Sequence, residues 1–151
     1  MINTNELKAQ VAALWDAFTP LERRILHFTL EPITEGRLRN RISPAVEAEL
    51  WSAVVELVVS GNLERRESFH RTNGAHVVDY HNPKGAEIVA QTPRATWISG
   101  MREGDLLHFH VGQPCEALID TICTALDYAQ SLGLMYSYQL NGSKLTLVRL
   151  A

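Results

Sequence analysis

With 151 residues, 46% of them apolar and 21% charged, the chain has the composition of a globular protein of one or two small domains, which excludes a disordered one. Fourteen Lys/Arg stand against seventeen Asp/Glu, a net charge of −3, so any affinity for nucleic acid has to come from local clustering. No apolar run reaches the roughly 18 residues of a spanning helix, and the opening Met1-Ile2-Asn3-Thr4-Asn5-Glu6-Leu7 lacks the basic start and apolar stretch of a secretory signal.

In chain order, Leu7, Val11, Leu14 and Phe18 recur at helical spacing and predict a first helix over 3–18. Its apolar stripe serves either as core or as the seam of a homodimer. Thr19 is the expected N-cap of a second helix over about 20–30, with Pro20 at its first position and Glu31-Pro32 ending it. A third helix over about 35–42 starts from Thr34, where Ile33 and Leu38 match a hydrophobic staple. Ser43-Pro44 opens a fourth, over 44–59, with Val46, Leu50, Ala53, Val54 and Leu57 inward and Gly61 as its stop. A hairpin follows. If Asn73-Gly74 is a two-residue turn, Phe69 pairs with Val78, Glu67 with Tyr80, His70 with Val77, and Arg71 faces His76.

Residues 82–94 read as a connector with a short helical or extended piece at 86–90. Beyond it, 95–99 and 106–111 are strand candidates flanking the turn signal Arg102-Glu103-Gly104-Asp105. A helix over 114–132 carries Leu118, Ile119, Ile122, Leu126 and Ala129 on one side and ends at Gly133. The strands 134–140 and 143–150 close a hairpin around Asn141-Gly142, with Tyr138 facing Leu145 and Tyr136 facing Leu147 on an apolar face. The polar face sets Gln139 against Lys144 and Ser137 against Thr146. Cys115 and Cys123, eight residues apart on one helix, lie about 12 Å apart along its axis. That is beyond the roughly 7 Å between Cα atoms that a disulfide tolerates. Reduced thiols in a cytoplasmic protein are expected.

Helix, helix, helix, glycine stop and two-stranded ribbon over 19–81, ending in Ser60-Gly61-Asn62-Leu63-Glu64-Arg65-Arg66, resembles a winged helix-turn-helix domain. The expected fold is α+β: residues 1–92 as that domain with an added N-terminal helix, and 93–151 as a two-layer strand-strand-helix-strand-strand unit. The resemblance implies double-stranded DNA as partner, with the helix at 44–59 entering a major groove and the wing reaching backbone or minor groove. The contacts it implies are Arg37, Arg39 and Arg41 before the recognition helix, and Ser43, Ala45, Ala48 and Ser52 on its outward face. In the wing they are Arg65, Arg66, His70, Arg71 and Asn73.

One departure opens a rival reading. The outward face of 44–59 carries Ala45, Ala48, Ser52, Val55 and Val59 beside Glu49 and Glu56, with no Lys or Arg. Arg or Lys on guanine is the commonest specific base contact, and outward valines want cover from the first helix or a partner chain. The same shape would then dock protein, as an inhibitor or subunit of a nucleoprotein complex. Metal and catalysis find little support. His108 and His110 share one strand face near Asp105 and Cys115, but zinc wants three or four convergent ligands. There is no phosphate-binding glycine loop and no Gly-x-Ser-x-Gly elbow. Cys115 at a helix start is the one position where a thiol would be acidified. The expectation is a non-catalytic protein without cofactor or metal.

Overall fold

The computed structural model describes residues 1–42, 47–69 and 72–151. It is mixed α and β, with two small three-stranded sheets. Contacts divide the chain into two units. Met1–Ala17 groups with Glu87–Ala151, and Phe18–Ala86 stands as the other. The division does not follow the cut expected at 92, because the first helix sides with the C-terminal segment.

The discontinuous unit is built on two helices. Helix α1 (Thr4–Ala13) starts at Asn3, whose side chain accepts the Asn5 and Glu6 N–H groups. It stops short of the expected 18, in tightened turns that place Trp15 to donate to the Val111 carbonyl at 2.8 Å. Its partner is α6 (Glu116–Ser131). Leu7 and Val11 are fully buried. Ile2 exchanges two hydrogen bonds with the amide of buried Gln130, Thr4 donates to Asp127, and Lys8 pairs with Asp120 at 2.8 Å. A dimer through 3–18 would therefore have to use other side chains than Leu7 and Val11.

Strands β4 (Leu106–His110), β5 (Tyr136–Asn141) and β6 (Lys144–Arg149) form an antiparallel sheet in the order β4-β6-β5. Leu107, Phe109, Tyr136, Leu145 and Leu147 are its buried residues. The strand expected at 95–99 is absent. Helix α5 (Gly85–Gln91) runs into a 3-10 helix, Thr92–Gly100. Ala95, Ile98 and Met101 are all buried at intervals of three, the period of a 3-10 turn, and Thr96 folds back to the Pro93 carbonyl. The segment expected as a strand is helical, with its buried residues recurring at period three.

The β5–β6 register is two residues off the expected one. Asn141 pairs with Lys144, so Gly142-Ser143 form the loop, with Gly142 at φ +60 and no non-glycine at positive φ among the described residues. A turn centred on Asn141-Gly142 would put Asn141 at positive φ, whereas glycine at the first central position suits the type II′ form. The loop also packs tightly, since a Cβ on Gly112 would meet the Ser143 Cβ at 2.5 Å. A shift of two keeps every side chain on its face, so the apolar and polar faces are as expected although the partners change.

The second unit holds α2 (Pro20–Phe28), β1 (Ile33–Thr34), α3 (Glu35–Ile42), α4 (Glu47–Val59), β2 (Glu64–Phe69) and β3 (His76–His81). Thr19 and Glu22 form a reciprocal capping box with Pro20 behind the cap, the start expected. The Thr34 hydroxyl accepts the Arg37 N–H at 3.4 Å. The expected opening of the fourth helix at Ser43-Pro44 lies outside the described residues. At its far end Gly61 takes φ +80, letting the Asn62 and Leu63 N–H groups reach the Leu57 carbonyl. Ile25, Leu26, Leu38, Ile42, Leu50, Val54, Leu57, Leu63 and Tyr80 make one core. After β3, buried Asn82 donates its N–H to Thr29, and Gly85 passes so close to Leu30 that a Cβ would sit 2.0 Å from its carbonyl oxygen.

Candidate nucleic-acid interface

The sheet behind α4 has the order β1-β3-β2. Short β1, unforeseen from the sequence, pairs Ile33 with Tyr80 and Thr34 with Asp79. The ribbon β2–β3 forms as expected but again two residues off: Phe69 pairs with His76, Glu67 with Val78 and Arg65 with Tyr80. The Asn73 side chain accepts the Ala75 N–H at 2.9 Å, a local turn of its own. The expected pairings of His70 and Arg71 fall on residues outside the description.

Arg37, Arg39 and Arg41 are all exposed on α3. Arg37 and Arg41, four apart, share one face, and neither has an acidic partner among the described residues. Arg39 is engaged. It pairs with Glu47 at 3.1 Å and lies over the Trp51 ring at 5.7 Å, while the Trp51 Nε1 donates to the same carboxylate. Of the outward positions on the next helix, Ala48 and Ser52 are exposed as expected; Ser43 and Ala45 lie outside the described residues.

On the wing, Arg65 and Arg66 project from opposite faces of β2, a strand exposed along its whole length. Each has a neighbour. Arg65 donates to Glu67, and this bond raises the guanidinium pKa while holding the Glu67 carboxyl below its ordinary value. Arg66 lies 3.4 Å from the His81 Nε2, which sits 3.0 Å from Glu64; His76 lies 3.4 Å from Glu67. The partners of the arginines (Glu47 and Trp51 on α4, Glu67 and His81 on the ribbon) were not foreseen. Glu47 and Trp51 at i, i+4 was the one legible hint; the others needed the register.

Residues 18–86 hold nine Lys/Arg and nine Asp/Glu, so this unit is neutral with histidines uncharged. The outward stripe of α4 is apolar in its second half, with Val55 59% and Val59 80% exposed.

The remaining candidates place as follows. His108 bonds the Thr146 hydroxyl at 2.9 Å, and the His110 backbone N–H donates to Gln91. No group of three or more metal-ligating side chains gathers among the described residues. Cys115 and Cys123 are free and buried. Burial pushes the Cys115 thiol up and outweighs the backbone N–H groups of Ala117 and Leu118 that pull it down; burial takes Cys123 to about 11. A thiol held neutral is the reverse of an activated nucleophile. Among the described residues no helix is long and apolar enough to cross a membrane. Comparison of the chain with protein-family models, with curated proteins and with solved structures finds no match to any.

Proposed function

We propose that residues 19–81 act as a winged helix-turn-helix on duplex DNA, and that the protein is a non-catalytic regulator or accessory factor. Three helices around one core, the glycine stop and a ribbon extended by β1 support the winged form. The observation that carries the DNA reading is the pair Arg37 and Arg41, two exposed guanidiniums on one face of α3, without acidic partners among the described residues. Free guanidiniums at that spacing suit two phosphates on one strand. Arg65 and Arg66 would add contacts only by exchanging their carboxylate and histidine neighbours for phosphate. A reducing, cytoplasmic setting fits the two free cysteines.

The electrostatic footprint is small. With two phosphates neutralised, the logarithmic salt slope is about −2, so a fourfold rise in salt weakens binding about tenfold. A titration of random-sequence and genomic duplexes at two salt concentrations tests this. Binding that weakens by that amount, and weakens further in Arg37→Ala and Arg41→Ala, sustains the proposal. No binding at low salt defeats it.

A second reading has its own support. Exposed Val55 and Val59 beside Glu49 and Glu56 favour a protein-docking use of the same fold, as the inhibitor or subunit of a nucleoprotein complex.

A further inference from the structure

Helix α4 contains three glutamates and no Lys or Arg over its 13 residues. At 100° per residue, Ala48, Ser52, Val55 and Val59 form one outward line, and all four are exposed. Half-buried Trp51 and Val58 border this line on the side turned toward the core. On the other side run Glu49 and Glu56, both exposed and seven residues apart, about 10 Å along the axis. Glu47 is occupied by Arg39, whereas Glu49 and Glu56 have no ion-pair partner among the described residues. Glu56 also lies in the last turn, where the helix dipole disfavours a negative charge. The helix therefore presents an apolar band with one acidic border.

We infer that this band docks a helix of another protein, with its own apolar stripe bordered on one side by Lys or Arg at i and i+7. The inference rests on the protein-docking reading and adds the partner's chemistry to it. Charge decides among the occupants. DNA would bring phosphates against Glu49 and Glu56. A second copy packed through the same band would set two wholly acidic helices side by side, and like charges in contact oppose association. A basic border on the partner meets both glutamates while its apolar stripe covers Val55 and Val59, with the axes about 8–10 Å apart.

The probes are two synthetic helical peptides with the same leucine stripe, one bordered by lysine at i and i+7 and the other by glutamate, titrated into the full-length protein labelled for NMR. The lysine peptide is expected to shift the amides of 48–59 and to bind about tenfold tighter than the glutamate peptide, as two rim pairs gained against two like-charge contacts imply. Glu49→Lys combined with Glu56→Lys should reverse that preference, and Val59→Lys should abolish both. All three positions are exposed, so thermal melting checks that the variants fold. Equal binding of the two peptides overturns the charge rule and leaves the docking reading standing. Binding of neither overturns both. Duplex DNA shifting the same amides, or a concentration-dependent dimer lost in Val59→Lys, assigns the band to DNA or to a second copy and overturns the inference.

Discussion

The two hairpins of this protein start from the same cue, an Asn-Gly step between alternating segments, and end as opposites. In β5–β6 one face is closed: Tyr136, Leu145 and Leu147 are buried, and the Tyr136 hydroxyl donates to the Ile98 carbonyl at 2.6 Å. In β2–β3 the whole of β2 is exposed, and Tyr80 is the only buried one among the described residues of the ribbon. Titration divides the same way. Among the buried groups of the discontinuous unit the shifts come from burial, which raises Cys115, Cys123 and Tyr136, while exposed Lys8 is raised by its bond to Asp120. On the wing they come from pairing, with Arg65 and Glu67 each favouring the other's charge. One hairpin holds its unit together. The other is exposed along β2, and its polar side chains engage one another.

The largest effect that would break this contrast concerns the buried face. Leu147→Ala should lower unfolding free energy by about 2–5 kcal/mol, measured by urea denaturation, because the site is sealed and leaves a cavity. A cost under about 1 kcal/mol would mean that the sheet face is not a core. Next comes alkaline pH. The neutral Cys123 thiol is favoured in the folded state, so its contribution is complete below the ordinary value of 9.0 and is lost as pH rises through about 11. Melting curves of wild type and Cys123→Ala across that window should converge as pH rises. A constant difference would place the thiol in water. Tyr136→Phe, which removes the buried bond to Ile98, should cost about 1 kcal/mol in the same urea assay. The smallest effects belong to the wing. Phe69→Ala, at a site 73% exposed, and Arg66→Ala should each change stability by no more than about 0.5 kcal/mol. On the DNA proposal, Arg66→Ala should also weaken duplex binding less than Arg41→Ala, since Arg66 has His81 beside it. A larger loss at Arg66 would move the contact from α3 to the wing.

Most helices were legible because their punctuation is local. Thr19-Pro20 with Glu22, Thr34 before α3 and Gly61 after α4 act within one turn of chain, and the structure places a cap or a stop at each. The strand expected at 95–99 failed because Ala95, Thr96, Trp97, Ile98 and Ser99 fit period two and period three about equally, and packing against α6 selected the latter. Both hairpin registers missed by two, since a turn's residues say that the chain reverses but not which of them stand outside the ladder. At the candidate interface the arginines were visible, but their availability was not. Whether Arg39 and Arg65 are free depends on Glu47, Trp51 and Glu67, and only the folded arrangement brings those side chains within reach.

By itself, the order of residues determined the caps and stops at Thr19, Thr34 and Gly61, which faces are apolar, and that α4 carries no positive charge, because each of these depends on neighbours a few residues away. Tertiary structure alone decided that the first helix belongs with residues 87–151, which partners neutralise which arginines, and that Val55 and Val59 stay open to solvent. Those outcomes come from contacts across as many as 128 residues, such as Ile2 with Gln130. Local spacing carries no record of them.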